Sequence, residues 1–190
     1  MAQSMSKQPQ PIVRNGVNVT GVFEVIDAVK SDPELAQFKF RASNTWIDGG
    51  HNRSTIKSFY GCKTEDSSRD TPFVLDADEP PVLLGQDTGA NPVEYVLHAL
   101  AACLTTSMVY HAAARGIEIE AVDSTLEGDI DLRGFLGVSN KVRKGYHHVG
   151  VRMRVKSAAK PEVLRELAKY SPVYDLVSNS LPVDVTIETY

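Results

Sequence analysis

At 190 residues and a formal net charge of −4, the chain is long enough for one domain with a sizeable core. It is too acidic to offer the basic surface that a nucleic-acid backbone requires. Hydrophobic content of 42% and charged content of 23% are ordinary for a soluble globular protein. Two cysteines, with no signal peptide or lipidation motif at the N-terminus, predict a reduced, cytoplasmic protein without a membrane anchor.

Residues 1–15 are polar, carry Pro9 and Pro11, and read as a mobile arm or a segment that orders on a neighbour. Val22, Phe23, Val25, Ile26 and Val29 recur at helical spacing, predicting a helix over 20–30 that Thr20 can cap and Asp32-Pro33 ends. From Gln37 to Ile47, Phe38, Phe40 and Ala42 alternate with Lys39, Arg41 and Ser43, the period of a half-buried strand. Asp48-Gly49-Gly50 is a turn, and Ser54–Cys62 reads as the returning strand. A loop over 66–70 and a short strand over 71–75 follow. Residues 76–91, with Pro80, Pro81, Gly85 and Gly89, form a long connection.

The stretch Asn91–Gly116 predicts the central element. Asn91 is an N-cap, Pro92 occupies a first-turn position, and Glu94 stands at the capping-box position. Neither Gly nor Pro recurs until Gly116, a C′ residue. Tyr95 to Leu104 is apolar on almost every face apart from His98, which predicts a helix buried all round. Its polar interruptions argue against a membrane span.

Beyond it, residues 117–132 alternate like a strand, 133–145 are turn-rich, and 146–156 alternate Val149, Val151, Met153 and Val155. A second helix is predicted over Pro161–Tyr170, a short one from Ser171-Pro172 to Ser178, and a last strand over Val183–Glu188. Hairpin-joined strands with helices set between them give an α+β fold with mostly antiparallel sheets.

Asn91, Pro92, Glu94, Ala99, Leu100, Ala101, Ala102 and Cys103 spell N-P-x-E-x-x-x-x-A-L-A-A-C. This pattern resembles the central-helix motif of the osmotically inducible protein C and organic hydroperoxide resistance (OsmC/Ohr) family, and Leu83–Pro92 resembles that family's glycine-rich lead-in. The resemblance spans residues 37–190, leaving 1–36 as an N-terminal extension with a short helix. It implies an intertwined homodimer, with antiparallel sheets wrapped around two long central helices. It also implies thiol-dependent reduction of organic or inorganic hydroperoxides, needing no cofactor. By the same resemblance Cys103 is the peroxidatic thiol, and a hairpin arginine with a glutamate holds it as thiolate. Arg53 matches that arginine, Arg41 is the alternative, and Glu94 is the glutamate. The resolving cysteine falls at Ser171, so this chain resembles a divergent member that lacks it. A serine hydroxyl forms no disulfide, which leaves an external thiol as reductant.

Each candidate also has an ordinary structural reading. The neighbours of Cys103 on its own helix are Val96, Ala99, Leu100, Thr106, Ser107 and Tyr110, none cationic, and taken alone it reads as an inert cysteine. Arg53 and Arg41 read as solvated turn or strand residues. Glu94, roughly 13 Å from Cys103 along a straight helix, reads as a capping-box residue. Cys62 could replace the missing resolving thiol only with Cα atoms within about 7 Å. Ser171 is a sufficient N-cap. His147 and His148 are adjacent on a strand and point to opposite faces, and no metal site is expected. Lys141–Lys144 reads as a solvated loop. A second class of function is a non-catalytic protein of the same fold that binds a small lipophilic molecule at the dimer interface.

Overall fold

The computed structural model describes residues 10–189. The chain divides into two compact units, Met1–Val96 and Leu97–Tyr190. The first opens with a hairpin of β1 (Val13–Arg14) and β2 (Val17–Asn18), turning at Asn15-Gly16 with φ of 52° and 76°. Of the segment expected to be a mobile arm, residues 1–9 lie outside the described residues. Val13 and Arg14 are instead strand, because an Asn-Gly turn favours a two-residue hairpin.

Helix α1 (Val19–Ser31) follows at once, and its cap is Asn18, whose side chain accepts from the Gly21 amide at 3.0 Å. Thr20, the expected cap, lies inside the helix and its hydroxyl accepts from the Ile12 amide. Asp32 ends α1, as its Asp-Pro pair predicts, and a 3-10 turn spans Pro33–Ala36. The strand expected from Gln37 begins only at Ser43. Up to Ala42 the backbone makes a single bridge, Lys39 to Tyr60, and Phe38 and Phe40 stack on each other and on Phe59 instead.

Strands β3 (Ser43–Asp48) and β4 (His51–Ile56) form an antiparallel hairpin around Gly49-Gly50. The returning strand is interrupted: β4 ends at Ile56, and β5 (Phe59–Gly61) pairs with β6 (Thr64–Asp66) in a hairpin of its own. Strand β7 (Phe73–Ala77) lies on the other side of β4, giving the order β3-β4-β7. The connection over 78–91 is wound around buried Asp78. Its carboxylate accepts from the amides of Glu79, Gln86 and Thr88 and from the Thr88 hydroxyl, at 2.8–3.2 Å. At Gly85 an added Cβ would stand 1.8 Å from the Glu79 carbonyl oxygen, so only glycine closes this loop.

Helix α2 (Pro92–Ala114) crosses from one unit to the other. By length and composition it could span a bilayer. In this chain Leu100, Leu104, Met108 and Ala112, four residues apart, are buried in the core of the second unit. The expectation of burial on every face is not met: Val96, Ala102, Thr106 and Tyr110 are exposed, because one chain covers only one side of the helix. Gly116, at φ 77°, ends the helix in a Schellman motif, with the Ile117 amide bonded to Ala112 O and the Gly116 amide to Ala113 O.

The second unit continues with β8 (Ala121–Asp129), a short α3 (Leu132–Phe135) and β9 (His148–Lys156), the two strands pairing antiparallel over nine positions. Val122, Leu126, Val149, Met153 and Val155 turn one face of this pair toward the core, where Leu164, Leu167 and Ala168 of α4 (Pro161–Ala168) complete it. Ser171 caps α5 (Pro172–Ser178). The expected last strand does not form: residues 183–188 carry no regular secondary structure and pair with no strand among the described residues, and Val183, Val185 and Ile187 are 74–81% exposed. Their alternation is that of a strand, but they are seated on no edge of the sheets among the described residues. The architecture is α+β with small antiparallel sheets, as the alternation of hairpins and helices predicts.

Candidate functional site

Cys103 sits on α2 between two buried positions, Leu100 and Leu104, yet is itself partly exposed. A helix turns about 100° per residue, so the thiol lies at the border between the buried face and the exposed face of Ala102 and Thr106. Among the described residues no hydrogen bond or ion pair reaches its sulfur. The backbone that carries the thiol is fixed by a 23-residue helix.

Arg53 projects from β4, half exposed, and bonds Asp76 of β7 through Nε at 2.9 Å and Nη2 at 3.3 Å. Asp76 is its cross-strand partner in the register. His51, two residues before Arg53 and so on the same face, places Nε2 2.8 Å from the same Asp76 oxygen. The Arg53 guanidinium, followed by the His51 ring, holds the Asp76 carboxyl below its ordinary range. Tyr95, on the first turn of α2, donates its hydroxyl to the Asp76 backbone carbonyl at 2.7 Å. This His51–Asp76–Arg53 cluster escaped the sequence reading, since the 23-residue separation of Arg53 and Asp76 closes only through strand register. A polar residue breaking the apolar run Phe73–Ala77 was the one available signal.

Arg41 is engaged elsewhere, in a two-bond ion pair with Glu65 at 2.8 Å for each bond. Glu94 closes the capping box: its Oε2 accepts from the Asn91 amide at 2.9 Å, and Asn91 Oδ1 accepts from the Val93 amide at 3.0 Å. The carboxylate on Arg53 is therefore Asp76, while Glu94 serves the helix start. Cys62 does not end a long strand. It is exposed in the β5–β6 turn, with Lys63 beside it and both at positive φ, 48° and 65°. Ser171 is 1% exposed and accepts from the Tyr174 amide at 3.0 Å, so its hydroxyl oxygen is committed to the start of α5. Among the described residues no group of three or more His, Cys, Asp or Glu converges as a metal site. His148 meets Asp129 in an exposed pair at 3.2 Å.

The second unit also holds an open cavity of about 820 Å³ beside α2, β9 and α4, floored by Leu104, Met108, Met153 and Leu164 and rimmed by Arg165 and Lys169.

In overall structure the chain is similar to an OsmC-like protein from Mycoplasma pneumoniae, with 14% identity and a TM-score of 0.54, covering 75% of this chain and 89% of that one. It is likewise similar to an OsmC-like protein of unknown function from Vibrio cholerae O1 biovar eltor str. N16961, with 13% identity and a TM-score of 0.54, covering 72% and 92%. At such identities the likeness speaks for the fold. No curated protein matches the chain. The sequence model described as OsmC-like protein matches residues 85–186, a segment that runs from the glycine-rich lead-in through the Cys103 helix and most of the second unit. That match covers more than half of the chain, and the protein belongs to the OsmC-like family.

Proposed function

We propose that this protein reduces hydroperoxides through Cys103, in a one-cysteine cycle completed by an external thiol. The observation that carries the reading is the partly exposed Cys103 on the family's helix, combined with a buried, committed Ser171 where a resolving thiol is expected. In the first step the Cys103 thiolate attacks the terminal peroxide oxygen. The O–O bond breaks, the sulfur becomes a sulfenic acid, and the alkoxide leaves as an alcohol after taking a proton. A small thiol then displaces water from the sulfenic acid to give a mixed disulfide. A second thiol attacks that disulfide, releasing Cys103 and the oxidised reductant. Cytoplasmic low-molecular-weight thiols would supply both.

Arg53 is proposed as the cation that favours the thiolate, oriented by Asp76; Arg41, paired with Glu65, is the alternative. The working assembly is proposed to be a homodimer, since the exposed face of α2 with Val96 and Tyr110 is left without cover in a single chain. The test is consumption of cumene hydroperoxide or hydrogen peroxide with several thiol reductants. Wild type is expected to turn over and Cys103→Ser to fall to the uncatalysed rate. Equal rates for the two proteins would end the proposal. Arg53→Gln is expected to slow turnover by about 10-fold or more.

The cavity in the second unit favours a second reading, binding of a small lipophilic molecule. Saturable binding of an alkyl or anilinonaphthalene probe that persists in Cys103→Ser, without peroxide turnover in wild type, would select it.

A further inference from the structure

The connection between β8 and β9 sets an apolar tip beside a basic cluster. Phe135, Leu136 and Val138 are 69%, 62% and 70% exposed. Residues 132–147 hold Arg133, Lys141, Arg143 and Lys144 and no acidic residue, in a chain whose net charge is −4. Arg133 is taken up by Asp131, to which its Nε donates at 3.0 Å. Lys141, Arg143 and Lys144 are exposed, and no ion pair among the described residues engages them. The backbone holds the two sets together. The Leu136 amide donates to the Leu132 carbonyl at 2.8 Å and the Val138 amide to the Arg133 carbonyl at 3.1 Å, closing the tip with Gly137 at φ 70°. Gly134 is buried against the other arm, where a Cβ would stand 2.4 Å from the Arg143 carbonyl oxygen and 3.0 Å from Lys144 Cα. Its bare backbone therefore lets α3 lie directly on the segment that bears the cations.

We infer that this tip docks the protein on the surface of an anionic lipid bilayer. Phe135, Leu136 and Val138 enter the boundary between headgroups and acyl chains, while Lys141, Arg143 and Lys144 meet the lipid phosphates. Charge complementarity carries the choice of partner. Cations draw the tip to a negative surface, and acyl chains accept an apolar group of any shape, so lipid meets both demands at once. Aliphatic Leu136 and Val138 have no ring on which a nucleic-acid base could stack. A second copy fits worse: across a two-fold axis the tip would face itself and bring the two basic clusters together as like charges. The overall charge of −4 does not oppose docking, since at physiological salt charges further than about 8 Å from the surface are largely screened. The mode is peripheral. α2, the one helix among the described residues long and apolar enough to cross a bilayer, has Leu100, Leu104 and Met108 buried in the core of the second unit.

The full chain is sedimented with phosphatidylcholine vesicles that contain or lack phosphatidylserine. Binding is expected only where phosphatidylserine is present, and is expected to weaken as salt rises. Lys141→Glu with Lys144→Glu should weaken it about 10-fold or more, and Phe135→Ser with Leu136→Ser about 10-fold. A further variant reads entry into the bilayer without removing the tip. Phe135→Trp in a Trp46→Phe background is expected to give blue-shifted emission on phosphatidylserine vesicles, quenched by brominated acyl chains. Equal binding to both kinds of vesicle, binding that survives the charge reversal, or an indole at position 135 that stays in water would each overturn the inference. Tip substitutions that change the oligomeric state but not vesicle binding would assign this face to a second copy. Tighter binding to single-stranded RNA than to the vesicles would assign it to nucleic acid. Either result also overturns docking on lipid. None of these measurements involves peroxide, so their outcome is independent of the chemistry proposed for Cys103.

Discussion

The two ends of α2 are held by different physics. At the entry, directional polar bonds prevail: Asn91 and Glu94 close the capping box, the Asn91 side chain also donates to Glu79, and Asp78 gathers four donors from the loop. At the exit, shape and stacking prevail. The His111 ring lies 4.0 Å from that of Tyr170, the Arg115 guanidinium sits 5.5 Å from the same Tyr170 ring, and Arg115 Nη1 lies 2.9 Å from His111 Nδ1. Asp78 and His111 titrate lower than usual for opposite reasons. Burial raises the Asp78 carboxyl, but the hydrogen bonds from Thr88, Glu79 and Gln86 outweigh it, so the net direction is down. For His111 burial itself lowers the value, and Arg115 adds to it. Desolvation disfavours whichever form is charged, so it acts against the bonds at the acid and with the neighbour at the base.

The largest effect belongs to the entry. Asp78→Ala leaves three amides and a hydroxyl without their shared acceptor and is expected to shift the urea midpoint further than any other change named here. Asp78→Asn keeps the shape but turns an NH2 group toward donors, and should fall between the two. The pH dependence has a definite sign: a depressed carboxyl stabilises the fold above its unfolded value of about 3.9, and that stability is lost as pH falls through the folded value. A stability profile of Asp78→Ala should therefore be flatter than wild type in that acid window. If the alanine variant matched wild type, the loop would not depend on this carboxylate.

At the exit, Gly116→Ala forces a Cβ into φ 77° and is expected to cost about 1–2 kcal/mol by chemical denaturation. At the entry, Asn91→Ala should cost roughly 1 kcal/mol, the usual price of a lost N-cap. A smaller loss at Gly116 than at Asn91 would reverse the ranking and show that stacking, rather than the Schellman turn, holds the exit.

Both ends of α2 could be read from the chain because their signals are local. Asn91, Pro92, Glu94 and Gly116 act within a turn of their own positions, and the family motif around Cys103 rides on the same helix. The pairing of Arg53 with Asp76 and the place of His51 needed the β4–β7 register, which no local pattern supplies. Phe38 and Phe40 alternate like a strand yet pack with Phe59 as a group of rings, and the backbone there makes only the Lys39–Tyr60 bridge. Val183 to Glu188 show the converse: the period is that of a strand, but strand formation also requires an edge, and alternation alone does not say which chain provides it. The exposed face of α2 misled in the same way, since a helix apolar all round declares that it will be covered without declaring by what.

The smallest expected effect sharpens the exit. A histidine depressed on folding is neutral in the folded chain while its unfolded form takes up a proton near pH 6.5, so it stabilises above that value and loses its contribution as pH falls through the folded one. The groups against the ring are Arg115, four residues on along the same helix, and Tyr170, after α4. Because Arg115 is always a donor, the 2.9 Å contact requires His111 Nδ1 to accept, which puts the neutral ring's proton on Nε2. Protonation would replace that acceptor with a second donor facing a guanidinium. Proton NMR should therefore find the His111 midpoint below that of an ordinary imidazole, and Tyr170→Ala, by opening the ring to water, should move it up. His111→Gln should flatten the stability profile from neutral pH down toward pH 5 while leaving it nearly unchanged above 7. A His111 midpoint equal to that of a free imidazole, unmoved by Tyr170→Ala, would mean that the stack does not exclude water, and the contrast between the two ends of α2 would narrow to hydrogen bonding alone.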